Sequence, residues 1–308
     1  YYNRGFSKVD LNDYKGAISD FSKYIELNPN EADGYVLRGT VKENSGDLNG
    51  ACLDWKKAAS LGYTNSAEWI ANECGKLSSG KTAGQFLESA YDKQVAGDHK
   101  GAIEDYSKAI EFYPNYAAAY HNRGISKSRL NDDKGAIEDY TKAIELNPNN
   151  ATAYSNRGFE KKVLKDYDGA IVDFTEAIAL APKFMEAYYM RGSSKARLKD
   201  YNGAIADYNK AIELNPNYSM AYSNRAAVKF KLEDYGGAIV DFTKTIALEP
   251  NDDVYYYRGK SKRNLKDYDG AIADFTKAIA LAPNHIKAYF NRAAVKFKLE
   301  DYGGAIVD

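Results

Sequence analysis

The chain has 308 residues, 44% hydrophobic and 28% charged with only 7 prolines, a composition that excludes general disorder and has room for two ordinary domains. Its 42 Lys and Arg against 43 Asp and Glu leave a formal charge of −1, so no global field favours nucleic acid or an anionic membrane. No apolar run approaches the roughly 18–20 residues of a membrane span.

The chain opens at Tyr1 inside a helical pattern, so the start of the protein is expected upstream, and neither a secretory signal nor a compartment can be read. The first helical hairpin runs to Glu31, and a second covers 32–65 with Tyr63 where later units carry proline. SAEWIANECGKL, 66–77, is an amphipathic stretch with no second helix behind it, expected to be a solvating helix that caps a short array over 1–77. SSGKT, 78–82, is a polar linker, and from Ala83 a long array continues to Asp308, where it is cut within a second helix. Cys52 and Cys74 belong to no C-x-x-C pair; buried free thiols are the expectation, and a disulfide between them stays open.

Internal repetition dominates the long array. Pro114, Pro148, Pro182, Pro216 and Pro250 are spaced by 34 residues, and Pro283 follows after 33. In the unit Ala151 to Phe184, residues Tyr167, Ala170, Ile171, Phe174, Ala177 and Ile178 recur at three and four, the spacing of an amphipathic helix. Tyr154 and Gly158 share a face of a preceding helix, with Leu164 beyond. Small residues (Gly158, Ala170, Ala177) let two helices approach, and Tyr154 and Phe174 fill the space around them. Pro182 stops the second helix, the Asn147–Asn150 segment can cap the next one, and Asp166 places a carboxylate at the second helix's start. Two such helices cannot bury their apolar faces alone; stacked neighbours can, which makes an all-α solenoid of tandem helix-turn-helix units.

With Tyr154, Gly158, Ala170, Phe174, Ala177 and Pro182 in these places, the unit resembles a tetratricopeptide repeat, and the likeness covers nearly the whole chain. It implies a right-handed superhelix whose concave groove holds a segment of a partner protein. One departure is consistent: where that family usually has Leu before the Gly and Tyr three residues after it, this chain has Arg157 and Lys161, with equivalents in almost every unit. Arg123 and Lys127, Arg191 and Lys195, Arg225 and Lys229, and Arg258 and Lys262 each lie four apart on one helical face. An Asp on the second helix accompanies each pair: Asp139, Asp173, Asp207, Asp241 and Asp274. A basic spine for an anionic ligand is one reading. A residue type repeated in every unit belongs to the unit's architecture, so a ladder of ion pairs between packed helices is the expectation.

Residues one place after the core Tyr, four further on and three beyond share the first helix's inner face. In the resembled family they line the groove. In the long array these columns, with the position just past them, yield the candidate partner-binding residues Tyr91, His121, Phe159, Lys162, Tyr189, Arg197, Phe230, Tyr256 and Arg263. Ile125, Lys260, Phe290 and Phe297 stand in the same columns, with Arg129, Lys231 and Lys298 one residue beyond the last. Aromatic anchors and cations suit a peptide with apolar side chains and carboxylates. Some co-chaperone repeats clamp a carboxylate with Lys, Asn and Arg; Asn122, Asn156 and Asn224 match one clamp position, while Ser155 and Phe159 occupy the others.

GKLSSGKT, 75–82, satisfies G-x-x-x-x-G-K-[ST], but a P-loop needs a preceding strand, and the stretch before it reads as helix. The three histidines, His99, His121 and His285, lack ligand spacing. The resulting expectation is a protein-interaction scaffold with no catalytic residue, metal or cofactor, no nucleic-acid partner and no membrane span in this stretch. Self-association by end-to-end stacking of repeats is the alternative.

Overall fold

A computed structural model describes residues 1–63, 74 and 83–307. It holds eighteen helices and no strand among those residues. They pack into two compact units, Tyr1–Asn115 and Tyr116–Asp308. The first contains α1 (Tyr2–Asp10), α2 (Tyr14–Leu27), α3 (Ala32–Asn44), α4 (Leu48–Ser60), α5 (Ala83–Val95) and α6 (His99–Phe112). The second begins with α7 (Ala117–Arg129), α8 (Asp133–Leu146), α9 (Ala151–Val163), α10 (Tyr167–Leu180), α11 (Met185–Arg197) and α12 (Tyr201–Leu214). It continues through α13 (Ser219–Lys231), α14 (Tyr235–Leu248), α15 (Asp252–Asn264), α16 (Tyr268–Leu281), α17 (Ile286–Lys298) and α18 (Tyr302–Val307). The expected cap helix at 66–77 and the 75–82 motif lie outside the described residues, apart from Cys74.

Each hairpin follows from local chemistry. The first helix ends in a residue at positive φ, such as Asn131 (60°) or Lys165 (66°), which turns the chain. The next residue is an Asp whose carboxylate accepts from the amide three residues on: Asp166 Oδ1 from Gly169 N at 2.9 Å, Asp200 Oδ1 from Gly203 N at 3.0 Å. The second helix stops before the proline, and Asn150 Oδ1 then caps α9 by accepting from Ala153 N at 3.1 Å. Leu164, placed on the core face by spacing, is 43% exposed because it already belongs to this turn.

Within a hairpin the small residues do what their size permits. Ala170, Phe174 and Ala177 are fully buried, and Tyr154 packs against them. A methyl group added at Gly158 would come 3.1 Å from the Phe174 ring, and one at Gly39 would come 2.6 Å from the Trp55 indole nitrogen. Complete burial of one such aromatic ring contributes about 2–3 kcal/mol. In Tyr116–Asp308 each second helix packs against the first helix of the next hairpin, and successive first helices also touch. The first helices therefore line the inner side.

The Arg–Lys–Asp column is an ion-pair ladder. Arg157 Nε and Nη2 donate to both oxygens of Asp173, at 2.9 and 2.7 Å, and Lys161 Nζ lies 2.8 Å from Oδ2. Asp173 is 1% exposed. The guanidinium also donates from Nη1 to Thr141 Oγ1 of the preceding second helix, at 3.2 Å, and sits 5.6 Å from the Tyr154 ring centroid. Arg38–Asp54, Arg123–Asp139, Arg191–Asp207, Arg225–Asp241 and Arg258–Asp274 repeat the fork. In α5 the Arg position is Ser89, whose hydroxyl donates to Asp105 at 2.7 Å. Arg4 and Lys8 hold Asp20 far below the usual carboxylate range, chiefly through the Arg4 hydrogen bonds. That contribution is present above the ordinary carboxylate pKa and is lost as pH falls through the depressed one.

The cysteines correct the free-thiol expectation: Cys52 of α4 and Cys74 form a disulfide with a sequence separation of 22. Their Cα atoms are 5.8 Å apart, within ordinary disulfide reach.

Two outcomes follow. Arg157→Leu leaves Asp173 buried with Lys161 alone and should lower unfolding stability by about 3 kcal/mol, while the further change Asp173→Leu should recover much of it. Urea unfolding checks both; a single variant as stable as the parent would remove the ladder from the list of stabilising features. Cys52→Ser should cost the first unit about 3 kcal/mol, the loop entropy of such a ring, measured by calorimetry against the parent with and without reductant.

Candidate functional site

The inner face of Tyr116–Asp308 is built from α7, α9, α11, α13, α15 and α17, and eight of the nine candidate residues belong to these helices. The ninth, Tyr91, is on α5 in the other unit, 58% exposed.

His121 on α7 is half-buried. Asn156 of α9 lies 3.2 Å away, its Nδ2 donating to Nε2, and the two rings of His121 and Tyr140 are 5.7 Å apart. Burial lowers its pKa, so the neutral ring is favoured. Tyr189 on α11 is held in the same way: its hydroxyl accepts from Asn224 Nδ2 of α13 at 2.9 Å, and its ring meets Tyr218 edge-on at 5.0 Å. Tyr256 on α15 is 6% exposed, with Asn291 Nδ2 of α17 at 3.4 Å from its hydroxyl and Phe275 and His285 against its ring. Its ring is thus core packing beneath the face, a placement that column spacing could not reveal.

These three contacts show an alternation with a period of two hairpins. An aromatic ring at His121, Tyr189 or Tyr256 is bonded by an Asn 35 residues later, on the next first helix. The intervening helices carry Ser155 and Ser223 at the ring position. The clamp-like asparagines Asn156 and Asn224 are therefore engaged inside the protein. The two columns alternate only in part, since α7 carries Asn122 beside His121 and α17 carries Phe290 beside Asn291, and the bond itself needed the superhelix to bring the side chains together.

Phe159 on α9 is 41% exposed, the most open of the candidate rings of this unit. Phe230 on α13 is half-buried, with Tyr235 edge-on at 5.3 Å and Lys260 Nζ 5.1 Å from its centroid. Lys260 lies 5.6 Å from the Tyr257 ring as well, so Tyr257 joins a site that column reading missed. Lys162 Nζ lies 3.8 Å from Met190 Sδ. Its pKa is lowered by burial and then by the charge of Arg197. Arg197 lines a pocket of 190 Å³ with Ser193, Tyr201, Tyr208, Asn224 and Lys231. Arg263 Nη1 donates to Asn291 Oδ1 at 2.6 Å.

Among the described residues, one cluster has metal-ligand residue types: donor atoms of Asp252, Asp253 and His285 lie within 4.8 Å of one another. His285 Nδ1, however, accepts from Ala288 N at 3.2 Å as the cap of α17. A neutral ring whose Nδ1 accepts carries its proton on Nε2, which faces Asp253 Oδ1 at 3.8 Å. The arrangement is a helix cap beside a carboxylate rather than a ligand set. No helix among the described residues is long and apolar enough to cross a membrane.

Repeat architecture, hairpin packing and sequence agree on the class. Tetratricopeptide repeat profiles match residues 186–218 and 253–285, a second TPR repeat profile matches 96–131 and 128–162, and a third matches 1–31. Together they span more than half of the chain, which belongs to the tetratricopeptide repeat family. No curated protein matches it in sequence. Among solved structures, YrrB, described as a TPR protein with an unusual peptide-binding site, is 27% identical with a TM-score of 0.55, over 61% of this chain and 97% of YrrB. MamA is 26% identical with a TM-score of 0.53, over 56% of this chain and 93% of MamA. PilF of Pseudomonas aeruginosa, 20% identical with a TM-score of 0.59 over 69% of this chain and 97% of its own, shares the fold.

The electrostatics of the face can be checked at one atom. Burial is the larger cause of the Lys162 shift, so Arg197→Met should bring its pKa only part of the way back up. Carbon-13 shifts of the reductively methylated lysine against pH measure this; no change would show that Arg197 does not reach it.

Proposed function

We infer that this chain is a protein-interaction scaffold whose inner face in Tyr116–Asp308 holds an extended segment of a partner polypeptide. The repeats and the likeness to YrrB, itself described as having a peptide-binding site, support the scaffold reading. The observation that carries the finer reading is the set of rings fixed before any partner arrives. Tyr189 is bonded by Asn224 and packed by Tyr218, and Phe230 is packed by Tyr235 and Lys260. A surface ordered in advance spends little conformational entropy on binding. Phe159, on the first helix before them, supplies an exposed apolar anchor. The role assigned to these residues is recognition; no bond-making step is assigned to the chain.

A second reading is self-association by end-to-end stacking, since a repeat leaves an apolar face uncovered wherever no neighbour packs on it. Selection of linear peptides from a random display library separates the two. The parent should enrich peptides that a Phe159→Ala, Phe230→Ala variant, still folded by circular dichroism, no longer binds. Peptides retained equally by both would move binding off this face. No enrichment, with a mass that rises with concentration in light scattering, would favour stacking.

A further inference from the structure

Two ladders of cations run through Tyr116–Asp308, and only one is paired with carboxylates. Each of the five complete Arg–Lys pairs faces its Asp. A further cation closes the last turn of every first helix: Arg129, Lys162, Arg197, Lys231, Arg263 and Lys298. Among the described residues none of these six has a carboxylate oxygen within 4.0 Å. The chain carries about as many acids as bases, so this is local segregation rather than general excess. A helix C-terminus favours a cation, but the paired Lys of each repeat already supplies one there.

The second ladder becomes concave at two places. Between α11 and α13, Arg197 and Lys231 border the 190 Å³ pocket, with Lys231 Nζ 5.7 Å from the Tyr201 ring and the Asn224 amide and Tyr208 alongside. Between α15 and α17, Arg263, Lys266 and Lys298 border one of 380 Å³, with Lys298 Nζ 5.5 Å from the Tyr268 ring. No acidic residue lines either pocket. The two are related by the same two-hairpin period as the ring–Asn contacts. At the corresponding place between α7 and α9 the chemistry is reversed: Asp133 stands where Tyr201 and Tyr268 do, and buried Glu160 stands where Val228 and Val295 do. Along the ladder, cations crowd one another. Lys162 is depressed by burial and by Arg197, and Lys260 by burial, Arg263 and Lys287.

We propose that these two pockets receive carboxylate side chains of an acidic polypeptide segment, one acidic cluster in each, on the inner face of the repeats. This rests on the scaffold reading and adds the chemistry of the partner. Successive packed helices stand about 10 Å apart, which places the pockets about 20 Å from each other along the face. An extended chain covers that span with about six residues, so the segment carries two Asp/Glu clusters at that spacing with apolar residues between them. Polar and charged pocket groups select the acids, and the rings beside them hold the apolar part.

The probe is a fluorescein-labelled linear peptide with two Glu triplets separated by Phe- and Leu-containing sequence of that length, compared with its Gln counterpart by fluorescence anisotropy. The parent should bind the Glu peptide, more weakly as salt rises, and the Gln peptide at least about tenfold less well. Replacing Arg197, Lys231, Arg263 and Lys298 by Gln should lose about tenfold in affinity for the Glu peptide; exchanging Arg for Lys and Lys for Arg at the same positions should retain it. Equal affinity of the Glu peptide for the parent and the Gln variant, or equal binding of the Glu and Gln peptides, overturns the proposal. Two further controls separate it from the broader reading. If library-selected peptides bind through Phe159 and Phe230 yet ignore the four Gln substitutions, the acidic partner falls and the scaffold stands. If inorganic phosphate displaces the Glu peptide at the concentration that also displaces a single free glutamate, the pockets bind small anions only and the polypeptide assignment falls.

Discussion

A buried Asp held between the two helices of a hairpin organises these repeats. An Asp from the second helix sits in an interior that would reject its charge, and the fold answers with a forked guanidinium and an ammonium from the first helix. Because the fork requires both nitrogens to face both oxygens, it sets the rotation of one helix against the other more narrowly than apolar packing does. The remaining guanidinium nitrogen reaches back to a side-chain oxygen on the preceding hairpin, as Arg191 does to Thr175 at 3.1 Å, Arg258 to Thr243 at 3.1 Å and Arg225 to Asn209 at 2.5 Å. A single side chain therefore ties together the two helices of its own hairpin and the hairpin before it.

This use of Arg and Lys has a consequence for the inner face. In the first helices of Tyr116–Asp308 the Tyr, the Arg and the small Gly or Ala after it turn toward the hairpin core, so the columns displaced by about one residue turn to the inside of the superhelix and are released from architectural duty. Their variation still follows a rule, since rings and the asparagines that bond them alternate from one hairpin to the next. The long identity between Asn224–Asp241 and Asn291–Asp308 belongs to the same two-hairpin period and links one Asn-bearing hairpin to another. A period of two repeats divides the face into segments, each with a fixed ring, and two of them add a cation-lined hollow. Such a face suits a ligand that is itself long and patterned.

The fold was legible because its cause is local and repeated. Tyr154, Gly158, Ala170, Phe174 and Ala177 announce two amphipathic helices at close approach, and Asp166 announces the start of the second; each is found in that role. The ion-pair ladder was legible for the same reason, since Arg157, Lys161 and Asp173 recur at fixed offsets. The face was legible by column but not by depth. Phe159 is open and Tyr256 is covered although both were reached by the same column reading, because depth depends on what the next hairpin presents: Asn291 and His285 close over Tyr256.

Sequence periodicity alone determined the helical hairpin, its turn, its caps and the repeat-by-repeat pairing of Arg with Asp, all of which are interactions within a few turns of chain or within one unit. The tertiary structure alone decided which rings are fixed and by which Asn, that Cys52 and Cys74 are joined, and that His285 caps a helix beside Asp253 instead of standing apart. Those outcomes depend on distances between side chains of different hairpins or of distant chain positions. Superhelical stacking sets such distances, and residue spacing along the chain does not encode them directly.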